Sequence, residues 1–275
     1  MRITRILAIL LALAGLTAGY VPGAVAADAA RTAPVLDRIE AKKELVVGTA
    51  ASMPPLNMTM KDGQIAGMEI DLARLIAGAL EVKLTLKQMP FNDLLPALQD
   101  GRVDMILSGM TITPVRNLKV AFVGPYLVTG KSILGKKANI ESFSGPSRIN
   151  TPDNVLVALK GSTSQAFAEK QFPKAKLLLT DNYDQAVSMV REDKALAMVA
   201  DMAICQLSVY RYPDAELTSL KNPLNYEPLG IAIPANDFLL INWLQNFLNT
   251  AQKDGSLEMM ADRWFKDGSW VSQLR

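Results

Sequence analysis

The spacing of apolar positions changes in a repeating order along the chain. LVVGT at 45–49 is a short apolar run, and Val82, Leu84 and Leu86 alternate with Lys83, Thr85 and Lys87 at the two-residue period of a half-exposed strand. Between them Ile70, Leu72, Ala73, Ile76, Ala79 and Leu80 recur every few positions, which places them on one face of a helix. Asn92 or Asp93 can cap a second helix that runs to about Asp100, where Gly101 stops it, and VDMIL at 103–107 predicts a third strand. The order then restarts with VLVAL at 155–159, a helix from about Ser162, LLL at 177–179, a helix near Asp184 to Glu192, and ALAMVA at 195–200. Asn236 to Lys253 and Ser256 to Phe265 read as two closing helices, parted by Asp254 and Gly255. Two α/β units are therefore expected.

Ahead of this alternation, Arg2 and Arg5 precede an apolar stretch from Ile6 to Leu16 and small residues ending at Ala27. Residues 1–27 read as a cleaved secretory signal, because the apolar part is well short of the ~20 residues that cross a bilayer. The chain holds 29 basic and 27 acidic residues; the leader carries Arg2 and Arg5 and no acid, so the remainder is formally neutral. A neutral chain lacks the basic footprint of a nucleic-acid binder and the Lys/Arg tract of a protein held on anionic membrane. One small soluble ligand is the easier partner to defend. The single cysteine, Cys205, leaves no internal disulfide, and its helical setting among apolar neighbours predicts burial. Histidine is absent, which excludes a Ser/His/Asp triad, a histidine-containing zinc site and a histidine base. No metal or cofactor is expected.

Open α/β sheets collect ligands beyond the carboxyl ends of their strands. SGMTITPVR at 108–116 leaves such an end, with Thr113 and Pro114 forming a cap and first turn, so Ser108, Thr111 and Arg116 stand where a ligand belongs. Arg116 offers a planar fork suited to a carboxylate, or is a surface arginine after a capped turn. GSTSQAF at 161–167 has Ser162 and Gln165 in capping-box spacing, so Thr163 and Ser164 line a helix start that attracts anions, or simply cap it. Asp201 ends ALAMVA, where it can pair with an ammonium or cap a helix. Two anion-seeking sites and one cation-seeking site match the charged ends of an α-amino acid.

Taken together, these segments resemble the type 3 extracellular solute-binding proteins, which deliver amino acids and related compounds to ABC importers. The resemblance rests on LVVGT with MPPL, GMEIDLARLIAGAL, FNDLLPALQDGRVDMILSGMTITPVR, FVGPY, GSTSQAF, the Asp after ALAMVA, GIAIP and DGSLEMMADRWF. It implies a two-lobed α/β periplasmic-binding-protein fold with a hinge of two crossing strands, near 128–134 and 228–233, that closes over the ligand. The first lobe would comprise 44–129 and 230–275, and the second 130–229. By the family's pattern Arg116 clamps the ligand α-carboxylate with Thr111 and the Thr163 amide, Asp201 and the Gly109 carbonyl receive the α-ammonium, Ser108 and Ser164 assist, and Phe91 covers the ligand side chain.

Met53 and Leu56 stand where an aromatic is common, so Met53 is a candidate contact for an apolar guest, with core packing as the alternative. Ala50 stands where binders of basic amino acids often have an acid; Gly124 and Leu127 also depart from the pattern, and Lys131 is a candidate extra cation at the rim, or a solvated lysine. The resemblance implies a monomeric periplasmic substrate-binding protein that is not an enzyme, captures an amino acid or related small carboxylate and docks on an ABC permease, without membrane insertion after cleavage. The alternative is a cyclohexadienyl dehydratase-like enzyme on the same fold, for which Glu69 and Asp71 are the nearest acids, although both more plausibly begin a helix; a stand-alone sensory module is a third reading.

Overall fold

Each of the two α/β units builds a five-stranded sheet of the same plan. The computed structural model describes residues 33–140 and 148–274; the expected leader, 1–27, lies outside them. In chain order the strands are β1 (Glu44–Thr49), β2 (Ser52–Met53), β3 (Asn57–Thr59), β4 (Ile65–Ala66), β5 (Lys83–Gln88), β6 (Met105–Ile106), β7 (Ala121–Thr129), β8 (Lys131–Lys136), β9 (Val155–Leu159), β10 (Lys176–Thr180), β11 (Ala197–Asp201), β12 (Leu217–Ser219) and β13 (Glu227–Ile233). The helices are α1 (Pro34–Lys42), α2 (Met68–Ala79), α3 (Phe91–Gln99), α4 (Pro114–Asn117), α5 (Lys137–Ile140), α6 (Thr163–Gln171), α7 (Tyr183–Arg191), α8 (Met202–Arg211), α9 (Phe238–Lys253) and α10 (Ser256–Phe265).

The first sheet has the order β5-β1-β6-β13-β7 and the second β10-β9-β11-β8-β12, while β2, β3 and β4 form a small third sheet. In each large sheet three strands of the sequence alternation run parallel. The fourth, β13 or β8, runs antiparallel to both neighbours.

The chain passes between the sheets twice. It leaves β7 through Gly130 into β8, and it returns between Ser219 and Glu227, so 228–233 lies within β13. A Cβ on Gly130 would stand 2.1 Å from the Asn225 carbonyl oxygen and 2.5 Å from Pro223 Cβ; glycine there lets the two passages touch. They are also bonded, Lys131 N donating to Asn225 Oδ1 at 2.7 Å and Leu224 N to the Lys131 carbonyl at 2.8 Å.

One core lies between the first sheet and α1, α2 and α9, with Val47, Leu72, Ile76 and Leu244 at its centre. A second runs through both halves, from Met53, Phe91 and Leu94 to Val157, Tyr183 and Cys205. Cys205 is fully buried there as expected, and burial pushes its thiol far above the ordinary range. Among the described residues no helix is long and apolar enough to cross a membrane.

Three helix starts differ from the sequence reading, one of them that of α9, which begins at Phe238 rather than Asn236. The second helix begins at Phe91 with Pro90 as its cap, so Asn92 and Asp93 lie inside its first turn. α1 was not anticipated: it buries Leu36 and Ile39, and its cap residue, Ala33, offers no side-chain acceptor. Asp237 supplies one instead. Its Oδ2 accepts from Val35 N and Leu36 N, both at 2.9 Å, while its Oδ1 caps α9 by accepting from Leu240 N at 2.9 Å. Asp237→Ala leaves these amides without their acceptor, two of them buried, and should cost at least ~2 kcal/mol, read as a lower urea midpoint. Asp237→Asn, which keeps one oxygen, should lose less.

Candidate functional site

Arg116 sits where the first sheet hands the chain to α4. The cap pair is formed as read, Thr113 Oγ1 accepting from Arg116 N at 3.2 Å. The guanidinium then turns inward and is half-buried. Its Nη1 donates to the Thr111 carbonyl at 2.9 Å and its Nη2 to the Gly161 carbonyl of the second half at 3.2 Å. Its Cζ lies 5.7 Å from the centre of the Phe91 ring, within cation–π range. Burial lowers the arginine's affinity for its proton, and the charges of Glu227 and Asp201 offset only part of that.

Across the cleft, α6 begins at Thr163. Ser162 caps it, its Oγ accepting from Gln165 N at 3.2 Å, and Gln165 Oε1 accepts from Gly161 N at 2.8 Å. The amides of Thr163 and Ser164 are the first of that helix and have no intrahelical acceptor. Thr163 Oγ1 lies 3.2 Å from Thr111 Oγ1 and donates to Glu227 Oε2 at 3.0 Å. Thus Arg116, Thr111, Thr163 and Phe91, predicted from separate segments, come together with Gly161.

Asp201 does stand at the carboxyl end of its strand, but its partner is a residue of the protein. Lys131 Nζ lies 2.6 Å from Asp201 Oδ1 and 3.5 Å from Glu227 Oε2, and the lysine side chain is only 1 % exposed. The expectation that Lys131 is a rim cation or a solvated lysine is corrected: it lies at the floor of the network, where a buried ammonium needs a carboxylate. Glu227, which the sequence reading missed, also accepts from Asn225 Nδ2 at 2.7 Å. Burial alone would raise its carboxyl, but Lys131 and donors on Thr111, Asn225 and Thr163 outweigh that and hold it below its ordinary range. The available signal was a charged residue directly before each of two apolar runs, Lys131 before SILG and Glu227 before PLGIAI.

The remaining candidates lie around this network. Ser108 Oγ accepts from Ala50 N at 2.9 Å and is fully buried. Met53 packs on Gly109, where a Cβ would stand 2.6 Å from its Cε, and Gly109 has φ +60°. Ser164 Oγ and Tyr183 Oη are buried, and among the described residues neither has a partner in hydrogen-bonding geometry. Tyr183, also missed, is held well above its ordinary range by burial and then by Asp201. Gly109 N donates to Glu69 Oε1 at 2.6 Å, Asn57 Nδ2 donates to Glu69 Oε2 at 2.6 Å, and the Tyr126 hydroxyl bonds the same carboxyl. Glu69 lies in the first turn of α2, as read, and supports the Gly109 loop from behind. Asp71 faces elsewhere, bonding Trp264 Nε1 at 2.8 Å. A cavity of about 600 Å³ is lined by Ala50, Ser52 and Gln88 of the first half and by Asp181, Asn182 and Arg211 of the second; Arg116, Thr111, Thr163, Lys131, Asp201 and Glu227 do not line it.

Residues 45–267 match the bacterial extracellular solute-binding proteins, family 3. The chain belongs to this family. The ABC transporter arginine-binding protein 1 of Escherichia coli K12 is 26% identical over 228 residues, 82% of this chain and 92% of that one. A binding component of an ABC transporter from Wolinella succinogenes, solved with lysine, superposes with a TM-score of 0.80 at 36% identity, covering 84% of this chain and 99% of that one. The cyclohexadienyl dehydratase of Pseudomonas aeruginosa is 24% identical over 231 residues, 84% of this chain and 86% of that one. This family 3 chain therefore has the two-lobed fold; most of its relatives are transport-binding proteins, and a cyclohexadienyl dehydratase is among them.

Burial raises the Glu69 carboxyl above its ordinary value, against the pull of Tyr126, Gly109 and Asn57. A carboxyl that binds its proton more tightly when folded contributes most at low pH and loses that contribution as pH rises through the raised value. The stability of the wild type relative to Glu69→Gln should therefore be greatest near about pH 4 and fall towards pH 7. Paired urea titrations across that range check it, and a constant difference would contradict it.

Proposed function

We propose that the protein is the capture component of an ABC importer and closes its two lobes on an amino acid or related small carboxylate. The observation that carries this reading is Arg116, whose fork reaches from the first lobe to the Gly161 carbonyl at the start of α6. A carboxylate entering there exchanges two backbone acceptors for its own two oxygens and gains the first-turn amides of Thr163 and Ser164. The names of the relatives, an arginine-binding protein and a lysine complex among them, support the same class of ligand. In this reading the lobes divide near Gly130 and again before Glu227. The leader at 1–27 exports the chain to the periplasm, where it works as a monomer and docks on a membrane permease.

An enzyme of the dehydratase type, which one relative is, needs a proton donor facing the reacting atoms. Glu69 is enclosed by Gly109, Asn57 and Tyr126, the neighbours of Glu227 hold it in the ionised form, and α8 carries no carboxylate. This favours binding without turnover.

A thermal-shift panel of small carboxylates, α-amino acids among them, should raise the melting temperature with at least one member. Arg116→Ala should weaken that ligand at least tenfold, since a charge-assisted hydrogen bond contributes ~1.5 to 3 kcal/mol. Equal binding by the variant, or turnover of prephenate or arogenate without stabilisation by any carboxylate, would overturn the reading.

A further inference from the structure

The contact between Lys131 and Asp201 does not depend on closure of the lobes. The two residues stand directly opposite one another in the antiparallel pairing of β8 with β11, and both strands belong to the second sheet. Side chains paired in this way rise together from one face, with Cβ atoms roughly 5 Å apart. The lysine backbone is fixed on both sides, by Asn225 Oδ1 and by Leu224 N. A ligand that enters the open cleft therefore meets Asp201 already neutralised.

The other acid needs no cation either. Glu227 takes donors from Asn225 and Thr163 besides the nearby Lys131, and these neighbours hold its carboxyl below the ordinary range. Arg116 is in the opposite condition. Among the described residues it forms no ion pair, donates its guanidinium protons to two backbone carbonyls, and is half-buried. Within this network Arg116 is thus the cation awaiting an anion, while Asp201 and Glu227 already have partners. An α-ammonium would have to share Asp201 with Lys131 Nζ, setting two like charges on one carboxylate, or displace a buried lysine.

We infer that the protein selects carboxylates without an α-ammonium, of the 2-oxo or 2-hydroxy acid class, over the corresponding α-amino acids, because Lys131 occupies the ammonium's place on Asp201. This rests on the reading of Arg116 as the carboxylate clamp.

Calorimetry and thermal shift with the common α-amino acids, each beside its 2-oxo and 2-hydroxy counterpart, test it. For at least one side chain the oxo or hydroxy acid should bind at least tenfold tighter than the amino acid. In Lys131→Met, which releases Asp201, that ratio should fall at least tenfold. If that variant fails to fold, Lys131→Gln, which removes the ammonium but keeps a hydrogen-bond donor beside Asp201, should lower the ratio in the same direction. Equal or tighter binding of the amino acid throughout, with loss in Arg116→Ala, overturns the inference and leaves the clamp standing. No binding by any oxo or hydroxy acid also overturns it, and binding that Arg116→Ala does not weaken overturns the clamp as well.

Discussion

A buried ammonium has to be met by a carboxylate, and the chemistry of this cleft is arranged around one such ammonium. Lys131 opens β8 at the point where the chain first enters the second lobe, and its Nζ lies between Asp201 and Glu227. Asp201 belongs to the second sheet and Glu227 to the first strand residue after the return passage, so one lysine ties the site's acids to both passages. An arginine in this place would keep the charge but bring a wide planar fork in place of a compact one. The same lysine leaves Arg116, on the opposite wall, as the group that still seeks a partner.

Besides the Lys131–Glu227 pair and the Thr163 bond to Glu227, few contacts join the lobes across this floor. Thr111 meets Thr163 hydroxyl to hydroxyl, Arg116 reaches one carbonyl, and β2 lies against α7 with Met53 and Tyr183 in a shared core. A neutral hydrogen bond adds only ~1 kcal/mol and one to a charged group ~1.5 to 3 kcal/mol, so a bound anion can extend the hold on the closed arrangement and its departure can remove that gain. Rigidity is placed elsewhere: the passages are bonded to one another beside Gly130, and Glu69 braces the Gly109 loop from within the first lobe.

Most of the architecture was legible because it is written in local spacing. The apolar periods of α2, β9, α6 and α9 each lie within one segment, and the Thr113 and Ser162 caps are signalled by their immediate neighbours. α1 escaped because it buries only Leu36 and Ile39 and finds its acceptor in Asp237, some 200 positions away. The site was half legible for the same reason. Arg116, Thr111 and Thr163 follow strand ends, a position readable in sequence, whereas Lys131 and Asp201 are 70 residues apart and meet through an antiparallel register that no local pattern announces. Glu227 was signalled only by its charge directly before an apolar run, and Tyr183 opens a helix whose neighbours point to packing alone.

The lone thiol has a practical corollary. Cys205 lies sealed in the core that spans both halves, and its suppressed ionisation leaves almost no thiolate to react. Air and oxidants should therefore not link two copies covalently, and the native residue need not be removed before labelling. A second cysteine engineered on either rim of the cleft would be the only one a maleimide dye could reach, so opening and shutting could be followed by fluorescence in an otherwise unaltered chain.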